Sequence, residues 1–330
     1  LPKLSHPDHT VSRRSGFFIP SFSNTKNLGS GMSIPYFWAL NEDKNFTLTN
    51  KLYFNENPLF LGDYHQAFKD SNFKANFGYT EGYQKKSITK KAGKKSHFFA
   101  KYVKNFNRSI NSEDTLDITL QDVSNDKYLK LYKIDSDLVD YNENTLENSI
   151  NYTHEKENIF LGFKSSIYET LSDTYNDKYE YIFPEITFDK NLLSSETSGN
   201  LDLQTNYKLH KYDTNKLESF LINNFNWESN EINYDTGIKG RIISNVKNIN
   251  YETKNIDVYK KDTTSEIYGA LGYLSEINLR KMSGGTTHLW KPRILLRYAP
   301  GSMRKENSGS RLDPNSAFSM TRLDNINNFE

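Results

Sequence analysis

The stretch RSGFFIPSFSNTKNLGSGMSIPYFWAL, from Arg14 to Leu40, decides the fold because two strand-like segments follow each other in it, each interrupted by a proline. In the second segment every other residue falls on one face, namely Leu28, Ser30, Met32, Ile34, Tyr36 and Trp38. A period of two is that of a β-strand. Proline has no N–H to donate and belongs at sheet edges, strand starts or bulges. Pro20 and Pro35 therefore predict a weakly paired seam at a sheet edge.

The same alternation returns along the whole chain. Its cleanest example runs from Leu201 to His210, where apolar or Thr side chains alternate with Asp, Gln, Asn, Lys and His. Helical periodicity is not sustained over three turns anywhere. The sequence therefore predicts an all-β protein with roughly fifteen strands.

Composition narrows the class of protein. The 330 residues carry 42 Lys and Arg against 41 Asp and Glu, so no excess of positive charge points to nucleic acid. The mean hydropathy of −0.77 alone suggests disorder, but 14% of the residues are aromatic, which is too many for a disordered chain. Cysteine is absent, which excludes disulfides and thiolate chemistry in this span. The abundant Asn and Lys are interpreted as a bias of base composition.

The lengths of the connections indicate how the strands are arranged. Short polar turns at 41–45, 70–72, 154–158, 228–231 and 283–286 tend to alternate with longer polar stretches at 81–95, 124–144, 244–264 and from Gly301 onward. Short turns at one end and long loops at the other are typical of outer-membrane barrels. No apolar run reaches the length of a transmembrane helix, whereas a barrel strand needs only about ten alternating residues. We therefore predict an antiparallel up-and-down transmembrane β-barrel, of which this chain is the first part.

The two faces of the strands agree with this prediction. In a barrel the apolar face meets lipid and the polar face meets a wet lumen, so polar faces such as that of Asp202 to His210 need no dry core. A soluble sandwich would need two apolar inner faces. Several aromatic residues lie near predicted strand ends, where they suit an interfacial girdle or an ordinary core: Tyr36, Trp38, Phe54, Trp227, Trp290 and Tyr298.

Motifs for catalysis are missing from the sequence. His6, Asp8 and His9 are ligand-type residues, but no further donors complete a metal site, and we interpret them as part of a polar connector. No nucleophile elbow, phosphate-binding loop or calcium loop is present. We expect no catalytic residue, metal or cofactor, and no enzyme activity.

Two connections carry unusual residues. One holds a lysine cluster, which is either a solvated loop or a contact for anionic groups such as lipopolysaccharide phosphates: Lys85, Lys86, Lys90, Lys91, Lys94 and Lys95. The other, 124–144, is rich in Tyr, Leu and Ile, and it should pack on something. It would fold inward as a plug or cap of a barrel, or form a small hairpin on a soluble domain.

Several motifs together resemble one family. These are SHPDHTVSRRSGFFIPSF and LGSGMSIPYFWALNEDKNFTLT at the start, followed in order by KKSHFFAKYV, SNDKYLKLYKID, YIFPEITF, HLWKPRILLRYAPG and LDPNSAFSMTRLDN. The chain is similar over its whole length to the LptD family of lipopolysaccharide-assembly outer-membrane proteins. The resemblance implies residence in the outer membrane of a Gram-negative cell, and it implies that Pro20 and Pro35 correspond to the family's gate prolines.

The resemblance also implies partners and domains. In the family an LptA-type periplasmic bridge delivers lipopolysaccharide to an N-terminal jelly-roll domain, an LptE-type lipoprotein plugs the lumen, and the lipid leaves sideways between the first and last strands. Residues 1–13 then form a connector from a missing periplasmic domain, and 14–330 form the N-terminal portion of the barrel. The jelly roll and the family's disulfide cysteines have no counterpart here, which indicates a fragment.

Two other classes of function stay open on the sequence. A polar lumen also suits a general porin or uptake channel. A soluble β-rich carbohydrate-binding domain or carbohydrate-active enzyme would show similar alternation.

Overall fold

A computed structural model describes residues 13–84, 93–109, 111–172, 177–257, 259–260 and 262–300. Within these ranges nearly all regular structure is β: nineteen strands and one short helix. Seventeen strands belong to one large antiparallel up-and-down sheet, and β17 and β18 pair with each other. The prediction of an all-β, antiparallel up-and-down fold is confirmed. No helix in the described ranges is long and apolar enough to span a membrane.

The elements follow the predicted alternation closely. The bounds are β1 Gly16–Phe17, β2 Ser21–Thr25, β3 Gly29–Ala39, β4 Lys44–Tyr53, β5 Leu59–Ala67, β6 Ser71–Thr80, β7 Lys95–Ser109, β8 Ser112–Val123, α1 Tyr128–Tyr132, β9 Thr145–Lys156, β10 Ile159–Thr170, β11 Tyr179–Ser195, β12 Gly199–Tyr212, β13 Lys216–Glu228, β14 Ile232–Asn233, β15 Ile238–Lys254, β16 Thr264–Ile277, β17 Leu279–Ser283, β18 Thr286–Trp290 and β19 Arg293–Tyr298. In three places, two consecutive elements form one strand with a short break: β1 with β2, β16 with β17, and β18 with β19. Setting aside the two-residue β14, fifteen full strands remain in the described ranges, as expected.

One predicted connection is wrong. The polar stretch 244–264 was expected to be a long loop, but its first part belongs to β15. Asn245 of β15 hydrogen-bonds to Asn224 and Asn226 of β13. Further along β15, Ile249 and Tyr251 are buried. Polarity therefore does not end the strand, because the neighbouring strand supplies the partners.

The chain divides into two compact units. The first comprises the described residues within 1–108, 114–152 and 166–181, and the second those within 109–113, 153–165 and 182–330. In the first unit the connections 54–58, 81–94 and 124–144 lie at one end of the sheet, whereas 40–43 and 68–70 lie at the other. In the second unit, 213–215 and 255–263 share one end, and 196–198 and 229–237 share the other. The predicted segregation of loop length therefore holds only in the first unit.

The first unit has one open and one covered sheet face. The pairing of Leu52 with Met32 and of Phe60 with Tyr79 places large apolar side chains on one face, which we call the open face. Its exposed members are Trp38, Leu52, Phe60, Phe77, Tyr79 and Phe98. On the opposite face, Leu59, Leu61 and Phe99 are buried, and we call it the covered face.

Residues 124–144, the cap segment, pack on the covered face. The segment contains α1, which ends at Lys133 in a left-handed conformation, so the hairpin alternative is wrong. Its apolar side chains join one buried cluster, which consists of Leu28, Leu59, Leu61, Phe99, Val123, Tyr128, Leu129, Tyr132, Ile134, Val139, Leu146 and Leu171. The expectation that this apolar connection packs on something is confirmed.

The second unit also has two different faces. Leu203, Phe225 and Val246 are register partners on one face, with Phe225 and Val246 exposed. The opposite face, which we call the amide face, carries Asn206, Asn224 and Asn245, all buried. No connection of this unit forms a helix within the described residues.

Candidate functional site

The seam predicted from the two prolines is a bulge in the first strand. Phe17 pairs with Tyr36, whereas Ser21 pairs with Ser33. Three residues of the first strand, 18–20, therefore lie opposite only two of β3, 34–35. An extra residue on one strand defines a β-bulge and leaves part of the ladder unpaired. Pro20 and Pro35 therefore lie in the same interruption of the pairing between the first strand and β3. The sequence predicts only that both prolines lie at one sheet edge.

Pro35 weakens the pairing on one side of β3. Its carbonyl oxygen accepts a hydrogen bond from the Phe18 N–H at 2.9 Å. In an antiparallel strand the N–H and C=O of one residue point to the same neighbour. The donor that Pro35 lacks is therefore lost from the pairing with the first strand, and the pairing of β3 with β4 keeps its donors at this position.

The side chains of the first strand add little burial. Phe17, Ile19 and Phe22 are 73%, 87% and 77% exposed. Two ring contacts link this strand to β3: Phe17 meets Tyr36 edge-on with centroids 4.9 Å apart, and Phe18 lies 5.8 Å from Phe37. The first strand is therefore held by few hydrogen bonds and by rings that solvent reaches.

The lysine cluster is only partly within the described residues. Lys85, Lys86, Lys90 and Lys91 lie outside them. Lys94 is exposed, with its Nζ 4.0 Å from a carboxylate oxygen of Glu81. Lys95 is the first residue of β7 and is buried, with its Nζ 6.0 Å from the centre of the Tyr83 ring. Of these two, Lys94 alone lies on a solvated surface.

The histidines of the N-terminal connector, His6 and His9, also lie outside the described residues, as does Asp8. Among the residues that the structure describes, no group of three His, Asp or Glu side chains could hold a metal ion.

A directional chain of polar groups lies between the cap segment and the covered face. The Tyr128 hydroxyl lies 3.2 Å from Nδ1 of His97, and His97 Nε2 lies 2.5 Å from Oδ1 of Asn76. The Asn76 amide in turn donates to a carboxylate oxygen of Asp63. One set of roles satisfies every group: Tyr128 donates to a neutral His97, whose Nε2–H donates to Asn76. Sequence reasoning missed this chain, because its members come from three strands and the helix.

Ion pairs fasten the cap segment at its margins. Lys74 Nζ lies 2.7 Å from Asp137, and Lys178 Nζ lies 2.7 Å from Asp126 and 2.8 Å from Glu169. The hydrogen bond from Lys74 lowers the pKa of Asp137 below its usual value. Hydrogen bonds to Asp126 and Glu169 raise the pKa of Lys178. Burial, by contrast, raises the pKa of the Tyr128 hydroxyl, which keeps it a hydrogen-bond donor.

The amide face of the second unit is a ladder of asparagines. Nδ2 of Asn245 donates to Oδ1 of both Asn224 and Asn226 at 2.6 Å, and Asn224 donates to Gln204 at 3.3 Å. The interpretation of asparagine as a mere compositional bias is therefore too simple for these positions, because they satisfy one another in a buried place. The alternation of Asn224 and Asn226 with Phe225 and Trp227 along the sequence is the signal that could have pointed to them.

A groove of about 340 Å³ opens at one end of the second unit. Phe160 lines it together with the carboxylates of Asp189 and Asp202 and the amides of Gln204 and Asn226. Asn191 donates to Asp202 at 2.8 Å, which fixes one carboxylate in the lining. The groove offers carboxylates, amides and one aromatic ring as groups for contact with a ligand.

No protein-family model matches this chain, and no curated protein matches it.

Proposed function

We propose that this chain is the N-terminal portion of an outer-membrane barrel of the LptD family, which assembles lipopolysaccharide into the outer leaflet. The observation that carries the proposal is the bulge of the first strand, where Pro20 and Pro35 interrupt one seam. The order of the family-like motifs along the sequence supports it as well.

Placement in a membrane is supported by the open face. It exposes Phe60 beside its register partner Tyr79, and Phe77 beside its register partner Phe98, on three adjacent strands of an extended sheet. Contiguous apolar surface of this kind is rare on soluble monomers and marks contact with a membrane or a partner. The opposite faces are polar or covered by the chain itself, which suits the inside of a barrel. We therefore propose the outer membrane of a Gram-negative cell as the location.

In this proposal the lateral gate lies between the first and last strands of the barrel, and no covalent bond is made. Opening the gate requires the first strand to move, and the missing Pro35 donor and the unpaired bulge weaken the pairing of that strand with β3 and so lower the cost of moving it. Each restored donor would add on the order of 1 kcal/mol to the closed state. The lipid moves through the opened gate, and no catalytic residue, cofactor or nucleic acid takes part.

The proposed partners follow from the family. Lipopolysaccharide is the cargo, an LptE-type lipoprotein occupies the lumen, and an LptA-type bridge delivers cargo through the family's N-terminal domain. For the cargo phosphates we propose contacts with the basic side chains of the cluster Lys85, Lys86, Lys90, Lys91, Lys94 and Lys95, of which the buried Lys95 contributes least.

The gate is tested by restoring its donors in the full-length protein. Pro20→Thr together with Pro35→Val should slow the appearance of lipopolysaccharide at the cell surface, measured by pulse labelling. Pro292→Val is the matched control, because Pro292 also interrupts a strand but lies in the second unit, between β18 and β19. Surface delivery at the wild-type rate in the double variant would contradict the gate.

A second candidate is a soluble carbohydrate-binding domain, which the groove favours. Its amides, carboxylates and the Phe160 ring are groups that bind sugar hydroxyls and their apolar ring faces. Recovery of the protein in the aqueous phase without detergent, with binding of a neutral oligosaccharide that Asp202→Ala abolishes, would favour this candidate over the barrel.

A porin is distinguished by high conductance of the full-length barrel in planar bilayers.

A further inference from the structure

In the hairpin formed by the first strand and β3, the buried residues among those described are Leu28, in the turn, and Gly31, in β3. Leu28, in the turn, is 2% exposed, whereas Phe22, six residues earlier, is 77% exposed. The Leu28 N–H donates to Oγ1 of Thr25 at 3.2 Å, and Gly29 adopts a φ of +73° that favours glycine. The turn therefore presents Leu28 in a defined position.

Leu28 is buried in the cluster that the cap segment completes. Tyr128, Leu129 and Tyr132 of α1 belong to the same cluster. The cap segment supplies five of the twelve buried side chains of this cluster, those of α1 together with Ile134 and Val139, so its seating on the covered face contributes to the cluster in which Leu28 is buried.

A second link runs from the cap segment to β3 itself. The ring of Tyr53 lies over the backbone of Gly31, where an added Cβ would come within 2.8 Å of the ring. The same Tyr53 ring lies 6.1 Å from the ring of Tyr132, measured between centroids. Tyr132 of the cap segment thus packs on the Tyr53 ring, which itself packs on β3 at Gly31, three residues after Leu28.

The ion pair between Lys74 and Asp137 contributes little to keeping the cap segment on the sheet. Their side chains are 41% and 58% exposed, and exposed pairs of this kind add little stability in water. Most of the free energy that keeps the cap segment on the covered face therefore comes from the buried side chains of α1 and of the turns that follow it. Because these side chains are packed against one another, they must separate from the sheet together.

We propose that the cap segment is a latch on the first hairpin. While it is seated, Leu28 stays buried, the Tyr132 ring stays packed on Tyr53, and the turn end of the hairpin is fixed. When it lifts, the hairpin loses its buried anchor, and the bulge at Pro20 and Pro35 leaves few hydrogen bonds to hold it. The further step, in which lifting of the cap segment permits lateral opening of the gate, rests on the proposed function. The coupling between the cap segment and the first hairpin does not rest on it.

The coupling is tested by hydrogen exchange of the full-length protein in detergent micelles. Leu129→Ala removes a buried side chain of α1 and leaves the hairpin sequence intact. We expect amides of β2 and of the following turn to exchange at least about tenfold faster, because a core Leu→Ala change opens the structure around it. Amides of β12 and β13 in the second unit should keep their protection and serve as the internal control.

One result would overturn the proposed latch. In it, the amides of the cap segment exchange faster in Leu129→Ala, whereas those of β2 and the turn exchange at the wild-type rate. Should Leu129→Ala lose protection in the second unit too, and so fail to fold, Asp137→Asn provides the milder test of the same coupling. Wild-type exchange in β2 together with faster exchange in the cap segment of that variant would also overturn it.

Reciprocity gives a second test, because a coupling free energy acts in both directions. Leu28→Ala, in the hairpin, should speed exchange of the Tyr128–Tyr132 amides about as much as Leu129→Ala speeds that of β2. Phe22→Ala is the matched control, since its side chain is exposed on the same hairpin. Equal exchange of the α1 amides in both hairpin variants would show that no latch exists. Both exchange tests are independent of lipopolysaccharide delivery. Failure of the latch proposal is therefore distinguishable from failure of the gate proposal.

Discussion

The covered face of the first unit and the amide face of the second bury polar side chains in different ways. On the covered face a segment of the chain itself returns to the sheet, so that His97 and Asn76 are satisfied under Tyr128. On the amide face no helix returns within the described residues, and neighbouring strands satisfy one another through Asn245 and its partners. A polar strand face can therefore be completed either by a distant segment or by the next strand.

The apolar parts of the two faces differ in the same way. The first unit has a large cluster that depends on the cap segment. The second has a small one, in which Ile222, Ile249 and Tyr251 are buried and the rings of Phe220 and Tyr259 pack on Tyr251 at 5.5 and 5.7 Å. We infer that removing one cap side chain disturbs several strands, whereas changes in the second unit stay more local.

The largest expected effect is that of Tyr128→Ala. Tyr128 is fully buried, and its loss leaves a cavity under α1 and an unpaired His97, so we expect a loss of about 3–5 kcal/mol in the free energy of unfolding of the first unit. Urea unfolding in detergent, followed by hydrogen exchange, measures it. Tyr128→Phe keeps the ring and should cost only about 1 kcal/mol. Similar losses in the two variants would show that packing of the cap segment contributes little.

In the second unit, Ile222→Ala should cost about 2–4 kcal/mol, because Ile222 is fully buried on the amide face. Leu221→Ala is the matched control, since Leu221 lies next to it on the opposite, partly exposed face. Urea unfolding monitored by exchange of β12 and β13 amides measures the change. Loss of protection in the cap segment with Ile222→Ala would contradict the local character of this unit.

A smaller effect is expected for Asn245→Ala. The change removes the donor for Asn224 and Asn226, and we expect a cost of about 1–3 kcal/mol from acceptors left unsatisfied. Asn200→Ala, at an exposed position near the start of β12, should change the stability by less than about 0.5 kcal/mol. Equal stability of the two variants, measured by urea unfolding, would mean that the asparagine ladder is dispensable.

The smallest effect concerns the ion pair at the margin of the cap segment. Asp137→Asn should cost about 0.5 kcal/mol at neutral pH, because both partners are well exposed. The pKa of Asp137 is lowered in the folded protein, so this contribution is present at neutral pH and is lost progressively as the pH falls from about 5 through the lowered pKa. Unfolding of both proteins between pH 7 and about pH 2 tests it, and a difference between them that stays constant over this range would contradict the assignment.

Strand positions were largely predictable, because alternation is a local property of the sequence. The runs around Phe46 and Leu201 became β4 and β12, and the apolar connection 124–144 did pack on something. The polar stretch 244–254 was misjudged, since whether an asparagine ends or continues a strand depends on what the neighbouring strand presents. Burial of Lys95 was missed for a similar reason: the sequence shows a lysine run, and only the pairing of β7 with β6 shows where the run ends.

The sequence by itself determined that this chain is a succession of antiparallel strands with a proline in each of the first two, because period and backbone chemistry are local. Tertiary structure alone decided that Pro20 and Pro35 share one bulge, since a bulge is defined by the register between two strands. It also decided that Leu28, in the turn of the first hairpin, and the side chains of the cap segment belong to one buried cluster. That cluster joins residues about a hundred positions apart, which only folding brings together.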